Sequence, residues 1–129
     1  MKRILLDMSA TLIHHGHIRL IKKAKKFGKV IIGLTKDREI KKYKGYLPEL
    51  KFNERKEILE NIQGVTKVIP ANFYINERYL KKNKINFLLN GNNNFNKIEK
   101  KKMIIFKRTK GISSTTIRKR AAKNLKLIK

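Results

Sequence analysis

Cysteine is absent from this sequence of 129 residues. That excludes a disulfide framework, a thiolate nucleophile and any Cys-bound metal, and the fold needs no oxidising compartment. Carboxylates are scarce too: nine acidic residues stand against 34 basic ones, and only Asp7 and Asp37 are aspartates. Mechanisms built on paired carboxylates, such as glycoside hydrolysis or two-metal catalysis, have almost nothing to use. Long apolar runs are also missing. The start, Met1-Lys2-Arg3-Ile4-Leu5-Leu6-Asp7, begins like an export signal but meets a carboxylate after three apolar residues. No stretch approaches the roughly 20 apolar residues that span a bilayer. A single cytoplasmic domain over residues 1–129, with no membrane association, is the expectation.

Positive charge is what the chain has in excess. A formal net charge of +25 directs attention to anionic partners: nucleotides, phosphorylated metabolites, nucleic acid or anionic lipid. Lys, Asn and Ile fill over two-fifths of the chain and Lys far outnumbers Arg, as an AT-rich genome would produce. Much of the charge therefore records composition and says little about a ligand.

Five short apolar runs suit strands buried on both faces: Ile4-Leu5-Leu6, Val30 to Leu34, Val65 to Ile69, Phe87-Leu88-Leu89 and Met103 to Phe106. Between them, helical spacing appears at Ile18, Ile21 and Ala24, at Ile58, Leu59 and Ile62, and at Ile117, Ala121 and Leu125. Gly28 and Gly64 stand where glycines that end helices belong. Regular alternation predicts an α/β fold: a Rossmann-like, doubly wound, five-stranded parallel sheet with helices on both faces. Residues 41–53, with Lys41, Lys42, Lys44, Gly45 and Pro48, read as a basic loop. Asn90 to Asn94 reads as a turn cluster. In such sheets ligands bind beyond the carboxyl ends of the strands, where strand order reverses.

Two segments carry chemistry. All three histidines fall in His14-His15-Gly16-His17, directly before a helix. Gly16 permits close backbone approach, the amides from about Gly16 or His17 offer a phosphate site, and His14 and His17 can donate to the same anion. Helix capping is the plainer role for one or two of these histidines. Zinc is disfavoured, because acidic or Cys ligands and an i, i+4 histidine pair are missing; no metal site is assigned. The second segment, Arg108-Thr109-Lys110-Gly111-Ile112-Ser113-Ser114-Thr115-Thr116-Ile117, runs through a glycine into the last helix. Ser113 or Ser114 can cap it, while first-turn amides and hydroxyls receive phosphate oxygens.

His14-x-Gly16-His17, Asn53-Glu54-Arg55-Lys56, Val68-Ile69-Pro70 and Arg108-Thr-x-Gly-Ile-Ser-Ser-Thr occur in an order that resembles the cytidylyltransferases of the H-x-G-H nucleotidyltransferase superfamily, over essentially the full length. Spacing is close to glycerol-3-phosphate cytidylyltransferases, while Met8-Ser9-Ala10 and Gly111 to Thr115 look more like phosphonate-pathway cytidylyltransferase domains. The resemblance implies transfer of CMP from CTP, with Mg²⁺, to a phosphorylated or phosphonate metabolite, releasing pyrophosphate. It also implies a homodimer. Carried over by position, His14, His17, Lys44 and Arg108 would be catalytic. Ser9, Ala10, His14, Gly16, His17, Asn92, Arg108, Gly111, Ile112, Ser113, Ser114 and Thr115 would bind the nucleotide. Lys44, Arg55 and Arg78 would bind the acceptor, with Arg55 also supporting the site from the start of its helix.

Three positions depart from the family pattern. Thr11 replaces the aspartate three residues before the first histidine, Gly91-Asn92-Asn93-Asn94 replaces G-D-D-W, and Gln63 replaces a basic residue. Asp7 is a candidate to make up for the charge missing at Thr11. A homologue that binds nucleotide without turnover is therefore an alternative, and a basic nucleic-acid binder a third. Arg118 to Lys129 reads as the solvated face of an amphipathic helix, and no specific nucleic-acid motif is present.

Overall fold

The structure, a computed structural model, describes residues 1–90, 98–106 and 113–127. Five parallel strands, β1 (Arg3–Met8), β2 (Lys29–Thr35), β3 (Val65–Ala71), β4 (Phe87–Asn90) and β5 (Met103–Ile105), form one sheet in the order β3-β2-β1-β4-β5. The chain winds outward from β1 through β2 to β3, then crosses back to β4 and β5. Strand order thus reverses beside β1, which is where ligand sites form in open α/β sheets.

Alternate residues of β1 serve opposite layers. Ile4, Leu6 and Met8 pack with Ile21 and Ala24 of α1 (His15–Lys25) and Leu59 of α3 (Phe52–Glu60). Leu5 packs on the other face with Leu80 of α4 (Glu77–Lys82) and with Ile75, Ile85 and Ile98. Helices on both faces explain why the central strands read as unbroken apolar runs. Pro70 is tolerated in β3 because that strand is an edge. The last helix, α5 (Ser114–Asn124), contributes no buried residue to either core. Among the described residues no helix is long and apolar enough to cross a membrane.

Three expectations need correction. Residues 41–44 are not loop: they form the last turn of α2 (Asp37–Lys44), whose only buried residue is Ile40. Gly28 does not end α1, which is capped at Lys26 in the ordinary right-handed region. Its glycine is required because a Cβ would lie 2.1 Å from the Lys2 carbonyl oxygen, which accepts the Lys29 N–H at 2.7 Å. Gly64 lies beyond the Asn61 cap of α3, at φ +99°. The left-handed helix-ending glycine is instead Gly45, at φ +82°.

Gly28→Ala should therefore destabilise the fold by about 1–3 kcal/mol, the cost of overpacking, measured by urea unfolding. An unchanged midpoint would show that the Lys2 backbone yields freely.

Candidate active site

The site grows from the carboxyl end of β1. Ala10, the second residue after that strand, is 4% exposed and sits at φ +47°, a left-handed conformation unusual for a side chain with a Cβ. Its side chain faces the core, so only its backbone is open to a ligand role. The turn places Thr11 inward and delivers His14 to the start of α1.

His14 and His17 cap that helix jointly. The Gly16 N–H donates to His14 Nδ1 at 3.1 Å, the His14 N–H donates to His17 Nδ1 at 3.1 Å, and the His17 N–H donates to the His14 carbonyl at 3.0 Å. The two rings lie 4.1 Å apart between centroids. The expected open amides at Gly16 and His17 are therefore already occupied, which corrects Gly16 as a phosphate ligand through its N–H. What the cap leaves over is better defined. A ring nitrogen that accepts a hydrogen bond carries no proton, so each neutral imidazole holds its proton on Nε2 and keeps an N–H donor.

Electrostatics favour that neutral form. Burial, then the neighbouring His14, push His17 down to about 4, against an opposing contribution from the His14 backbone, and the charge of Lys44 lowers it a little further. His14 is lowered too, by burial and then by His15. Lys44, exposed at the end of α2, is thus close enough for its charge to act on His17.

α5 reaches the same loop. Ser113 caps it by accepting the Thr116 N–H at 3.0 Å. Ser114 Oγ donates to the Leu12 carbonyl at 3.0 Å and accepts the Leu12 N–H at 3.3 Å. Thr115 is exposed at the helix start. Both serines therefore dock and cap the helix with their hydroxyls. Arg108, Gly111, Ile112 and Asn92 lie outside the described residues.

Arg55 is a correction. It is fully buried, and donates to the carbonyls of Leu50 at 2.9 Å, Ser9 at 2.5 Å and Thr35 at 3.0 Å, and to Asp37 at 2.5 Å. Its guanidinium faces protein acceptors, so it supports the site and does not bind the acceptor. Ser9, half-buried, supplies one of those carbonyls, and its Oγ lies 3.5 Å from Thr35 Oγ1. Arg78 is exposed on α4, across the sheet from α1, and is not brought into the His–Lys44 group. Asp7 pairs in register with Gly33 and its charge acts on Tyr79, so it does not stand in for an acid at Thr11. The described residues hold no cluster of three His, Cys, Asp or Glu suited to a metal.

Sequence reasoning missed Arg118. Far from being solvated, it donates to Thr11 Oγ1 at 2.5 Å, pairs with Glu49 through two nitrogens, and lies 4.7 Å from the centre of the Tyr46 ring. Its i, i+7 distance from Gly111 carried no such signal.

A glycine-poor loop, a histidine-capped helix and a second capped helix thus converge at the reversal point of a parallel sheet. The family profile described as cytidylyltransferase-like matches residues 9–120, and the chain belongs to that family; it is a nucleotidyltransferase. It is 32% identical over 126 residues to glycerol-3-phosphate cytidylyltransferase of Staphylococcus aureus (strain NCTC 8325 / PS 47), covering 92% of this chain and 93% of that one. The Bacillus spizizenii enzyme of the same name is 33% identical over 125 residues, covering 92% and 96%. Ethanolamine-phosphate cytidylyltransferase of Mus musculus is 32% identical over 92 residues, covering 70% of this chain and 22% of that one. Among solved structures, the lipopolysaccharide core biosynthesis protein of Thermoplasma volcanium GSS1 shares the fold with a TM-score of 0.69 at 17% identity, covering 84% of this chain and 98% of that one.

The histidine cap makes stability depend on pH. An unfolded imidazole titrates near 6.5, so between that value and about 4 the unfolded chain binds more protons than the folded one. The contribution is full above about pH 6.5 and is lost as pH falls towards 4, by at most about 3 kcal/mol. Urea midpoints of the wild type should drop more steeply over that window than those of His17→Gln. Parallel curves would show that His17 is not held neutral.

Proposed function

We propose that this chain transfers CMP from CTP to a small metabolite bearing a phosphate or phosphonate. Pyrophosphate is released, with a CDP-linked product from a phosphate acceptor or a CMP-phosphonate from a phosphonate one. The observation that carries the reading is the junction of the two helix starts: Ser114 holds Leu12, two residues before His14, so the α5 end and the imidazole pair belong to one site.

The chemistry suits a site so poor in carboxylates. A phosphate monoester has its second pKa near 6, so the attacking oxygen arrives ionised and needs no strong general base. That oxygen forms a bond to the α-phosphorus of CTP. The bond from the α-phosphorus to the bridging oxygen of the leaving pyrophosphate breaks. Neutral imidazoles donate Nε2–H to the phosphoryl oxygens as charge develops, without the desolvation cost of a buried imidazolium. Lys44 neutralises charge at the acceptor, and Arg108 with Gly111 to Thr115 holds the nucleotide phosphates. Mg²⁺ enters as part of the Mg·CTP substrate, carried chiefly by phosphate oxygens. The homodimer and the cytoplasmic setting implied by the resemblance belong to the same reading.

A second reading, nucleotide binding without turnover, is favoured by one observation: Thr11, where the family pattern has an acid, is buried against Arg118 and offers no carboxylate. One assay separates the two. Purified protein is given each nucleoside triphosphate with glycerol 3-phosphate, ethanolamine phosphate or 2-aminoethylphosphonate, and pyrophosphate is measured. Release from CTP with one acceptor is expected, reduced at least about 100-fold in His17→Ala. Full activity in that variant would remove the assigned mechanism, and CTP binding with no release from any acceptor would favour the second reading.

A further inference from the structure

Lys44 acts from the end of α2, a helix tied down by Asp37 at its head, by Glu39, which accepts the Phe73 N–H at 3.0 Å, and by Tyr43, whose ring stacks on Phe73 at 4.9 Å. The exposed end itself leads into a less regular segment. Only Ile40 is buried, and the chain leaves through Gly45 into a segment, residues 45–51, without regular structure. This segment is held at two places. Its far end is fixed where the Leu50 carbonyl accepts Arg55 Nε at 2.9 Å. Its middle is fixed by one side chain of α5.

That side chain is Arg118. Its Nη2 donates to Glu49 Oε1 at 2.8 Å while Nε donates to Glu49 Oε2, a two-point grip on a planar carboxylate. Nη1 lies 3.4 Å from the Tyr46 hydroxyl, and the guanidinium stacks over the Tyr46 ring. The same Nη2 donates to Thr11 Oγ1, and Thr11 is 1% exposed and three residues before His14. One guanidinium therefore touches the loop leading to the histidine pair, the segment following Lys44, and the helix whose start docks on Leu12. Exposed ion pairs usually contribute little. This one differs because its donor fork is preorganised, partly buried and shared among three chain segments.

We infer that Arg118 is a positioning residue: through Glu49, Tyr46 and Thr11 it holds the 45–51 segment, and with it Lys44, against the histidine pair. This rests on the cytidylyltransferase reading for its kinetic consequence, though not for its structural one. Glu49 is the matching half of the device, and the grip holds its carboxyl below the usual range. Because Arg118 Nη2 lies 2.5 Å from Thr11 Oγ1, a carboxylate placed at position 11 would fall within reach of the same nitrogen.

The test compares wild type, Arg118→Gln, Glu49→Gln and the double variant Thr11→Asp/Glu49→Gln. Amide hydrogen exchange is followed without substrate, and steady-state kinetics with CTP and acceptor. Arg118→Gln and Glu49→Gln should speed exchange in residues 45–51 at least about tenfold while β1 and β2 stay protected. Acceptor kcat/KM should fall at least about tenfold, with the KM for CTP within about twofold. Thr11→Asp/Glu49→Gln should keep Arg118 paired yet leave residues 45–51 exchanging as fast as in Glu49→Gln alone, because the new carboxylate lies outside that segment; restored protection there would overturn the role given to Glu49. Unchanged exchange in residues 45–51 would overturn the proposal, as would equal loss for CTP and acceptor. If Arg118→Gln fails to fold, Glu49→Gln with and without Thr11→Asp decides. If the wild type turns nothing over, the functional reading fails while the exchange result still decides the role of Arg118.

Discussion

A buried guanidinium organises this molecule. Arg55 is withdrawn completely from solvent, and a charge in that position is tolerated only where partners satisfy it. Here the partners are Asp37 at the head of α2, the Ser9 carbonyl just past β1, the Thr35 carbonyl at the end of β2, and the Leu50 carbonyl before α3. Asp37 also accepts the Phe52 N–H at 3.3 Å. Removing one partner of such a pair generally costs about 3–5 kcal/mol, because the remaining charge is left uncompensated. The arginine thus fixes where the β1 and β2 ends stand and where the Lys44-bearing segment rejoins the fold.

On that platform the histidine pair does two jobs with one set of hydrogen bonds. As a helix cap it satisfies backbone donors that an α-helix start leaves without partners. As chemistry, the same bonds determine which ring nitrogen keeps its proton. Burial and nearby positive charge then keep both rings neutral. A site intended for polyphosphate thus carries donors whose strength does not depend on holding two imidazolium charges beside Lys44. The surplus of lysine elsewhere is poor guidance to function.

The strands were legible in the sequence because burial on both faces removes polar interruptions, as Val30 to Leu34 shows. Ser113 was legible as a cap because that role is local. α2 was not: an eight-residue helix with one buried side chain has too few apolar positions for a period to emerge. Gly28 was misread because the atom it must avoid belongs to Lys2, the residue directly before β1. Arg55 and Arg118 were misread for a related reason. Whether an arginine faces solvent, substrate or protein depends on acceptors far away in the chain, and Thr11 is 107 residues from Arg118. The order of motifs located the site; only packing separated the residues that face a ligand from those that hold them.

The claim on which the account turns is that His14 and His17 are neutral Nε2–H donors. Nitrogen-15 NMR of the imidazole rings at pH 7 reads this directly, since protonated and unprotonated ring nitrogens resonate far apart. Unprotonated Nδ1 and protonated Nε2 are expected in both residues, with the Nε2–H signals shifting when CTP is added. An imidazolium, or a proton on Nδ1, in either residue would contradict it.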